Sequence, residues 1–415
     1  MPELTREQVQ KTGSGLITLF IIFIFLRINS YFMISESAAV TRIFKTGLRS
    51  LLTGVFFLMC RKFDDPRNPT QFEYRNILGF ALYIQYLFLG FASIMWSSDR
   101  AWSALQVAMD VECVVFVFFA WRSFLIYNDQ GKYSRPMHLD YVVFCAVSWI
   151  AVQFLLGAIV NPDAYFRATH GGEVQRLGGW IINPNELGML CVVGAGCMYT
   201  HLMRSKLTFW KGLGWVLILL ALLLTQSRSS LISFFGTTFY FVLASGKAKL
   251  IIPTFVIGVL VSPVLFFTIF VKEGDVDEVM SMTGRLPFWQ DLLTYGFTER
   301  PLQGFGFMRI YHTDRFPSIR SYPGAMTHNT FMQLLLNLGL MGAVTCGSQM
   351  LFTFRGWMRE QNKFLKHLGV GMFIGIFVNS LTEFGIFGDA NYGIMWWLFI
   401  VHIYFMKVKG RPNLG

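Results

Sequence analysis

Residues 328–342 read HNTFMQLLLNLGLMG, so His328 and Asn329 are followed by nine residues and then by Gly339 and Gly342. The mainly apolar run that starts at 330 and continues to 353 is long enough to span a membrane as a helix. A polar, arginine-bearing stretch precedes it, beginning at Thr283. The chain on either side is strongly apolar, so we expect the chemistry of the protein in this polar stretch.

The composition points to a membrane protein. Hydrophobic residues make up 54% of the chain and charged residues 14%, and the mean hydropathy is +0.48. A soluble domain of this length would be less apolar. We therefore predict an all-α, polytopic helical membrane protein that forms a single integral-membrane domain over 1–415 and is surrounded by membrane lipid.

The net charge of +11 would suggest a nucleic-acid partner in a soluble protein. In a membrane protein it is explained by basic residues that flank the spans, so we expect no nucleic acid. The six cysteines all lie in or at the ends of apolar segments, with neither a disulfide framework nor metal-ligand spacing. No histidine cluster is present, so we expect no metal and no cofactor. No removable signal peptide is expected either.

About twelve segments are apolar and long enough, or nearly so, to span a membrane, with the second, seventh and last the shortest. They lie at 15–34, 46–60, 76–96, 101–121, 139–160, 186–203, 212–225, 230–245, 250–271, 330–353, 367–387 and 393–406.

Alternation of the connections between two sides groups both termini with the connections that hold most of the lysines and arginines. The positive-inside rule makes this the cytoplasmic side. Residues 272–327 then form the largest outer loop, and within it 286–293 has the amphipathic spacing of a helix that lies on the membrane surface or caps a cavity.

The basic residues of the outer side are nearly all arginine, whereas the cytoplasmic side has similar numbers of lysine and arginine. The planar fork of arginine binds phosphate oxygens in a bidentate manner, so this bias indicates a phosphate-bearing ligand outside the cytoplasm. The alternative is that the arginines pair with acidic residues of the outer loop. The outer arginines are Arg42, Arg49, Arg100, Arg167, Arg176, Arg228, Arg285, Arg300, Arg309, Arg315 and Arg320.

Individual residues on this side are candidates for a site. Arg228 lies so close to the apolar layer that it is either functional or snorkelling to the interface. His328 stands at the start of the tenth span, where a histidine can act as a general base or simply cap the helix. Glu383 and Asp389 bring carboxylates to the outer end of the eleventh span, where they line the same cavity or face water.

Taken together, these segments resemble the bacterial O-antigen ligase and O-antigen polymerase superfamily of integral-membrane glycosyltransferases. The matching pieces occur in family order over most of the chain, and the His-Asn, nine residues, Gly-x-x-Gly element is the most specific. They are Trp96-Ser97-Ser98, Arg176 with Gly179 and Asn183-Pro184-Asn185, Ser227-Arg228-Ser229, Gly284-Arg285 with Trp289, 301–306, His328-Asn329 with Gly339 and Gly342, and Thr382-Glu383.

The resemblance implies a donor glycan linked to undecaprenyl pyrophosphate and an active site on the periplasmic side of the bacterial inner membrane. The acceptor is a lipid A core hydroxyl in the ligases and another lipid-linked repeat in the polymerases. The family's pyrophosphate-binding arginines correspond to Arg228 and Arg285, with Arg176 as a further candidate, and its essential histidine corresponds to His328. Asn329, Glu383 and Asp389 are possible accessory residues. The outer loop of this chain is short for a ligase.

Residues and resemblance lead to one hypothesis, a metal-independent, inverting glycosyltransferase, most simply an O-antigen ligase. A polymerase of O-antigen or exopolysaccharide is the first alternative. A transporter of lipid-linked oligosaccharides is the second, although no internal repeat is visible and the arginines concentrate at one face. A scaffold membrane protein would leave the arginine bias unexplained.

Overall fold

The protein is described here by a computed structural model, which covers residues 6–35, 37–131, 135–169, 174–246, 285–307, 327–383, 385–388 and 391–410, the side chains of 6–12, 38 and 39 excepted. Its α-helices are α1 (Arg6–Asn29), α2 (Ala38–Phe63), α3 (Ile77–Ser93), α4 (Arg100–Gln130), α5 (Leu139–Val160), α6 (Pro162–Tyr165), α7 (Pro184–Leu202), α8 (Phe209–Thr225), α9 (Arg228–Ala244), α10 (Arg285–Asp291), α11 (Thr330–Met358), α12 (Lys363–Ser380) and α13 (Tyr392–Phe405).

Four short strands accompany the helices: β1 (Phe72–Tyr74), β2 (Phe166–Thr169), β3 (Val174–Leu177) and β4 (Met406–Val408). They form two antiparallel pairs, β1 with β4 and β2 with β3. The pair β1–β4 joins the predicted cytoplasmic connection 61–75 to the C-terminal segment, so two segments predicted to share one side are in contact.

The helices α7 and α13 form the centre of the bundle. Every residue of α13 is buried, including Trp396 and Trp397, and α7 is buried along nearly its whole length. A helix that is apolar on all sides lies in the core of a protein or within a membrane, and here both helices are covered by other helices. Accordingly α7 packs against α5, α8, α9 and α12, and α13 packs against α4 and α12.

The chain is a mostly helical membrane protein, as predicted. Four of the described helices are long and apolar enough to cross a membrane: Val40–Phe63, Arg100–Gln130, Leu139–Val160 and Thr330–Met358. The shorter apolar helices are Gly13–Asn29, Ile77–Ser93, Phe209–Thr225 and Tyr392–Phe405. The count of twelve spans and the single-domain assignment stay predictions, and the predicted ninth span, 250–271, lies outside the described residues.

The predicted eleventh span, 367–387, ends earlier than the apolar pattern suggested. The helix α12 ends at Ser380, whose hydroxyl donates to the carbonyl of Ile376 at 2.6 Å and accepts from the amide of Ile386 at 3.0 Å. These bonds fold the chain back on itself, so Glu383 follows the helix instead of belonging to it.

The tenth span is broken at Gly339, where a continuous helix was predicted. Gly339 has φ 60° and ψ −156°, a combination available essentially only to glycine. A Cβ atom at Gly339 would lie 2.4 Å from the carbonyl carbon of Leu302, so what approaches it is a loop backbone.

The loop that fills the break is 301–306, one of the pieces of the family resemblance. The amides of Phe305 and Gly306 donate to the carbonyls of Leu336 and Asn337, both at 2.9 Å, and Leu340 donates to the carbonyl of Pro301 at 2.8 Å. Backbone groups freed by a broken helix must find other partners in an apolar environment. The loop supplies these partners, so it is fixed to α11 at the break that follows His328 in the chain.

The helix α10 corresponds to the amphipathic helix predicted over 286–293. Its Phe288, together with the following Leu292, packs against Phe305 of the inserted loop and Leu336 of α11 in a small separate core. The apolar face of α10 therefore covers α11 and the loop, and Arg285, the first residue of α10, is carried to the start of α11.

Candidate functional site

Glu383 is the centre of a polar cluster at the ends of several helices. The residue is 4% exposed and follows the last turn of α12. Thr330 is the first residue of α11. Its hydroxyl donates to the backbone carbonyl of Glu383 at 3.0 Å and accepts from the amide of Gly385 at 2.9 Å. The turn after α12 is thereby fixed to the start of α11, which places the carboxylate beside His328.

His328 contacts this carboxylate directly. Its Nδ1 atom lies 2.8 Å from Oε2 of Glu383. His328 has φ 50°, an uncommon left-handed conformation for a residue other than glycine. Strained backbone of this kind persists where surrounding contacts hold it and is concentrated at functional sites.

Two neighbours hold the turn that contains His328. The side chain of Asn329 accepts from the amides of Phe331 and Met332, which caps α11, and donates to the carbonyl of Leu381 at 3.1 Å. The indole of Trp289 donates to the carbonyl of Thr327 at 2.6 Å. Both residues act on the backbone around His328, so Asn329 has a positioning role in this structure.

Arg285 reaches the same carboxylate from α10. Its Nη2 atom lies 3.2 Å from Oε1 of Glu383, and its Nη1 atom donates to the carbonyl of Thr382 at 2.6 Å. The alternative predicted from the sequence was that the outer arginines pair with acidic residues of the outer loop. The acid that Arg285 contacts comes instead from the turn after α12, far along the chain.

Arg176 joins the cluster through Asn185. It donates to the carbonyl of Thr225 at 2.9 Å and to the side-chain oxygen of Asn185 at 2.6 Å. Asn185 in turn donates to Oε1 of Glu383 at 2.9 Å. Arg176 and Arg167 are also direct cross-strand partners in the β2–β3 hairpin, and like charges in such positions repel each other.

Arg228 is the first residue of α9 and is half-buried. The preceding Gln226 has φ 48°, and Ser227 caps the helix by accepting from the amide of Ser230. Ser230 donates to the backbone carbonyl of Asn185 at 3.2 Å, which ties the start of α9 to the start of α7. Arg228 thereby stands next to the segment that carries Asn185.

The charges of the cluster influence one another. Burial raises the pKa of the Glu383 carboxyl, but the hydrogen bond and charge of His328, the charge of Arg285 and the hydrogen bond of Asn185 outweigh it, so the pKa lies below its ordinary value. Burial lowers the pKa of Arg176 to about 10; Glu383 opposes this shift, and the charges of Arg167, Arg228 and Arg285 add to it. Several guanidinium groups therefore share one region with a single central carboxylate.

The predicted site residues thus come together, with one exception. The structure groups His328, Asn329, Arg285, Arg176 and Glu383 through hydrogen bonds, and Arg228 adjoins them. Asp389 lies outside the described residues. Asn185 and Trp289 were noted in the sequence only as parts of a turn and of a family motif, and their proximity to Glu383 and His328 had no signal in residue spacing.

A comparison with protein families finds a match over part of the chain. Residues 213–346 match the family model described as O-antigen ligase. The chain carries an O-antigen ligase segment. The resemblance to the O-antigen ligase and polymerase superfamily is thereby confirmed for this segment, and the match supports a membrane enzyme of the ligase or polymerase type.

The O-antigen ligase segment contains Arg228, Arg285, His328 and the broken helix at Gly339, whereas Glu383 lies outside it. A search of curated proteins finds no match for the chain. The roles of individual residues therefore rest on the geometry described above, in which a histidine bonded to a buried carboxylate is surrounded by arginines.

The arrangement suits acid–base chemistry next to an anionic group. A carboxylate bonded to Nδ1 fixes the imidazole in the tautomer that has its lone pair on Nε2, and its negative charge stabilises the imidazolium ion formed when Nε2 takes a proton. Half-buried arginines nearby can stabilise negative charge that develops on a leaving group.

Proposed function

We propose that this protein is an inverting, metal-independent glycosyltransferase that moves a glycan from undecaprenyl pyrophosphate to an acceptor hydroxyl at the periplasmic face of the inner membrane. The observation that carries the proposal is the contact of one buried carboxylate, Glu383, with both His328 and Arg285. A histidine and an arginine from two separate segments are thereby held at one carboxylate from a third, which supports their proposed roles as base and phosphate-binding cation.

His328 is the proposed general base. It takes the proton of the acceptor hydroxyl while the acceptor oxygen forms a bond to the anomeric carbon of the glycan. The bond between that carbon and the pyrophosphate oxygen breaks, and its electron pair leaves with undecaprenyl pyrophosphate. Attack opposite to the leaving group inverts the configuration at the anomeric carbon. The proton on His328 then passes to solvent.

The arginines are proposed to bind the pyrophosphate. Arg176, Arg228 and Arg285 would neutralise the leaving group, which needs no metal ion when enough guanidinium groups surround it. The cross-strand repulsion between Arg167 and Arg176 supports this role, because an anionic ligand between such residues removes the repulsion. Asp389 remains a proposed accessory residue.

An O-antigen ligase, with lipid A core as acceptor, is the form of this reaction that we favour, because the matched family model carries that description. The polymerase alternative uses the same donor and differs only in the acceptor. Deletion of the gene followed by gel analysis of surface glycans separates them, since a ligase deletion removes all attached glycan and a polymerase deletion leaves single repeats attached.

The reaction itself is tested with purified full-length protein in liposomes that contain the lipid-linked donor and the acceptor. We expect His328→Ala, Arg228→Ala and Arg285→Ala each to abolish glycan transfer, while Arg359→Ala, an exposed arginine between α11 and α12, retains it. Each variant should elute as a monodisperse species. Transfer at the normal rate by folded His328→Ala would refute the assignment, and movement of the donor across the vesicle without a new glycosidic bond would identify a transporter.

A further inference from the structure

Three basic residues of α2 have no part in the proposed reaction. Arg42, Lys45 and Arg49 are spaced by three and four residues, so they lie on one face of the helix and extend about 10 Å along its axis. We call them the basic stripe. Arg42 is exposed, Lys45 is half-buried and Arg49 is only 4% exposed, so the stripe runs from the surface into the protein.

Within the described residues the stripe has no acidic partner at ion-pair distance. Arg49 donates to the hydroxyl and carbonyl of Ser30 at 3.4 and 3.2 Å, and its guanidinium stacks 3.9 Å from the ring centroid of Tyr31. Arg42 lies over the ring of Trp102 at 5.3 Å. Lys45 is within electrostatic range of Glu186 but forms no ion pair with it.

An acidic side chain of the neighbouring helix α4, whose charge acts on Arg49, already has a basic partner. Glu112 of α4 binds Arg27 through both of its carboxylate oxygens, at 2.8 and 2.6 Å, and also accepts from the hydroxyl of Thr53 at 2.6 Å. Among the described residues, no carboxylate therefore forms an ion pair with Arg42, Lys45 or Arg49. Uncompensated charge inside the apolar layer is costly, which is why such residues mark binding sites or pathways.

The surroundings of the stripe indicate what kind of anion it binds. The flanking surface of α2 is apolar and open, with Ile43 at 75% and Phe57 at 40% exposure. A ligand that satisfies both features has a negatively charged head and an apolar chain. A lipid phosphate has this chemistry, whereas free phosphate would use only the charges.

The stripe lies at the same end of the bundle as the cluster around Glu383. Tyr31, which stacks on Arg49, makes an edge contact with Tyr392 at the start of α13, with ring centroids 5.7 Å apart. The amide of Met33 donates to the carbonyl of Ile181 at 2.9 Å, next to the turn that begins α7. A lipid head held by the stripe would thus lie on the side where the transfer is proposed to occur.

We propose that Arg42, Lys45 and Arg49 form a binding site for the phosphate of an anionic membrane lipid, with the lipid chain along the exposed face of α2. The site is separate from the arginines around Glu383 and does not depend on the transfer chemistry. The phosphate group of the lipid contacts Lys45 and Arg49, and Arg42 contacts the lipid head group at the protein surface.

The test measures lipid binding to the full-length protein in detergent by native mass spectrometry. The probes are phosphatidic acid, phosphatidylcholine and inorganic phosphate. We expect phosphatidic acid to bind in preference to phosphatidylcholine, and Arg42→Gln/Lys45→Gln to weaken phosphatidic acid binding by about tenfold or more. The matched control is Arg61→Gln/Lys62→Gln, two exposed basic residues at the other end of the same helix, which should leave binding unchanged.

Arg49→Lys, which keeps the charge at the buried end, should retain most of the binding. Equal losses in the stripe and control variants would overturn the proposal, and so would equal binding of the two lipids. Inorganic phosphate that displaces phosphatidic acid at equal concentration would show a free-anion site instead. His328→Ala should bind phosphatidic acid normally, so failure of the lipid site and failure of the proposed reaction are distinguishable.

Discussion

The imidazole Nδ1 of His328 and Oε2 of Glu383 lie 2.8 Å apart, although 55 residues separate them in the chain. One belongs to the turn that begins α11 and the other to the turn that ends α12, and Thr330 holds these turns together. The carboxylate is buried, so its charge acts on the imidazole with little screening by water.

The first prediction concerns the charge of Glu383. Glu383→Gln keeps the size of the side chain and one acceptor oxygen but removes the negative charge that stabilises a protonated imidazole. We expect glycan transfer by the variant to fall by about 10²-fold or more, mainly in kcat, because the charge matters when His328 takes the proton. Steady-state transfer in liposomes measures this effect.

Glu299→Gln provides the control, because Glu299 is an exposed carboxylate in the segment that follows α10. It should transfer glycan at the normal rate. If Glu383→Gln were equally active, the contact with His328 would be structural only, and the general-base assignment would lose its main support.

A second prediction concerns stability in acid. The folded-state pKa of Glu383 lies below its ordinary value of about 4.5. A carboxyl group with a depressed pKa stabilises the fold above the ordinary value, and this contribution is lost as the pH falls toward the folded-state pKa. The melting temperature of the wild type in detergent should therefore drop between about pH 5 and pH 3 more than that of Glu383→Gln. Melting temperatures that fall equally with pH in the two proteins would contradict this prediction.

Much of the site could be predicted from sequence because its residues stand in short motifs. His328-Asn329, Arg228 between two serines and Thr382-Glu383 were recognisable as family elements. Their connections were not, because the bonds of Glu383 to His328, Arg285 and Asn185 join distant segments. Periodicity and spacing describe neighbours along the chain and carry no information about such contacts.

In the fold, likewise, the helices could be predicted from the sequence but the break in α11 could not. An apolar run such as 330–353 predicts a helix, and glycine within it is tolerated, so nothing local indicates the break at Gly339. The break exists because the loop 301–306 supplies partners for the freed backbone groups. A hydrophobicity pattern contains no information about such contacts between distant segments.

A third prediction tests the positioning of His328 through Trp289. Trp289→Phe keeps an aromatic ring but removes the indole donor to the carbonyl of Thr327, the residue before His328. The loss of about 1 kcal/mol from this hydrogen bond should loosen the strained turn and reduce transfer by about fivefold to tenfold. The same liposome assay measures it.

The matched substitution is Trp210→Phe, because Trp210 is 76% exposed on α8 and makes only a ring contact with Phe209 in the described residues. It should leave transfer unchanged. Equal activity of the two variants would show that the bond from Trp289 does not position His328.

The last prediction concerns the broken helix. Gly339→Ala places a Cβ atom 2.4 Å from the carbonyl carbon and oxygen of Leu302, at a backbone conformation that costs a non-glycine residue about 1–3 kcal/mol. We expect a lower melting temperature and faster hydrogen exchange at the amides of 305, 306 and 340, whose bonds close the break. Gly347→Ala in the same helix meets nothing within 4 Å and should instead stabilise the protein by about 0.5–1 kcal/mol.

Both variants replace a glycine of α11 by alanine, so they change helix propensity alike. A difference between them therefore reports on the break at Gly339. The loop 301–306 also packs under α10, so loosening it should displace Arg285 and lower glycan transfer in Gly339→Ala alone. If Gly339→Ala were as stable as Gly347→Ala, with its loop amides still protected and its glycan transfer unchanged, the break would not require a glycine at position 339 and the prediction would be wrong.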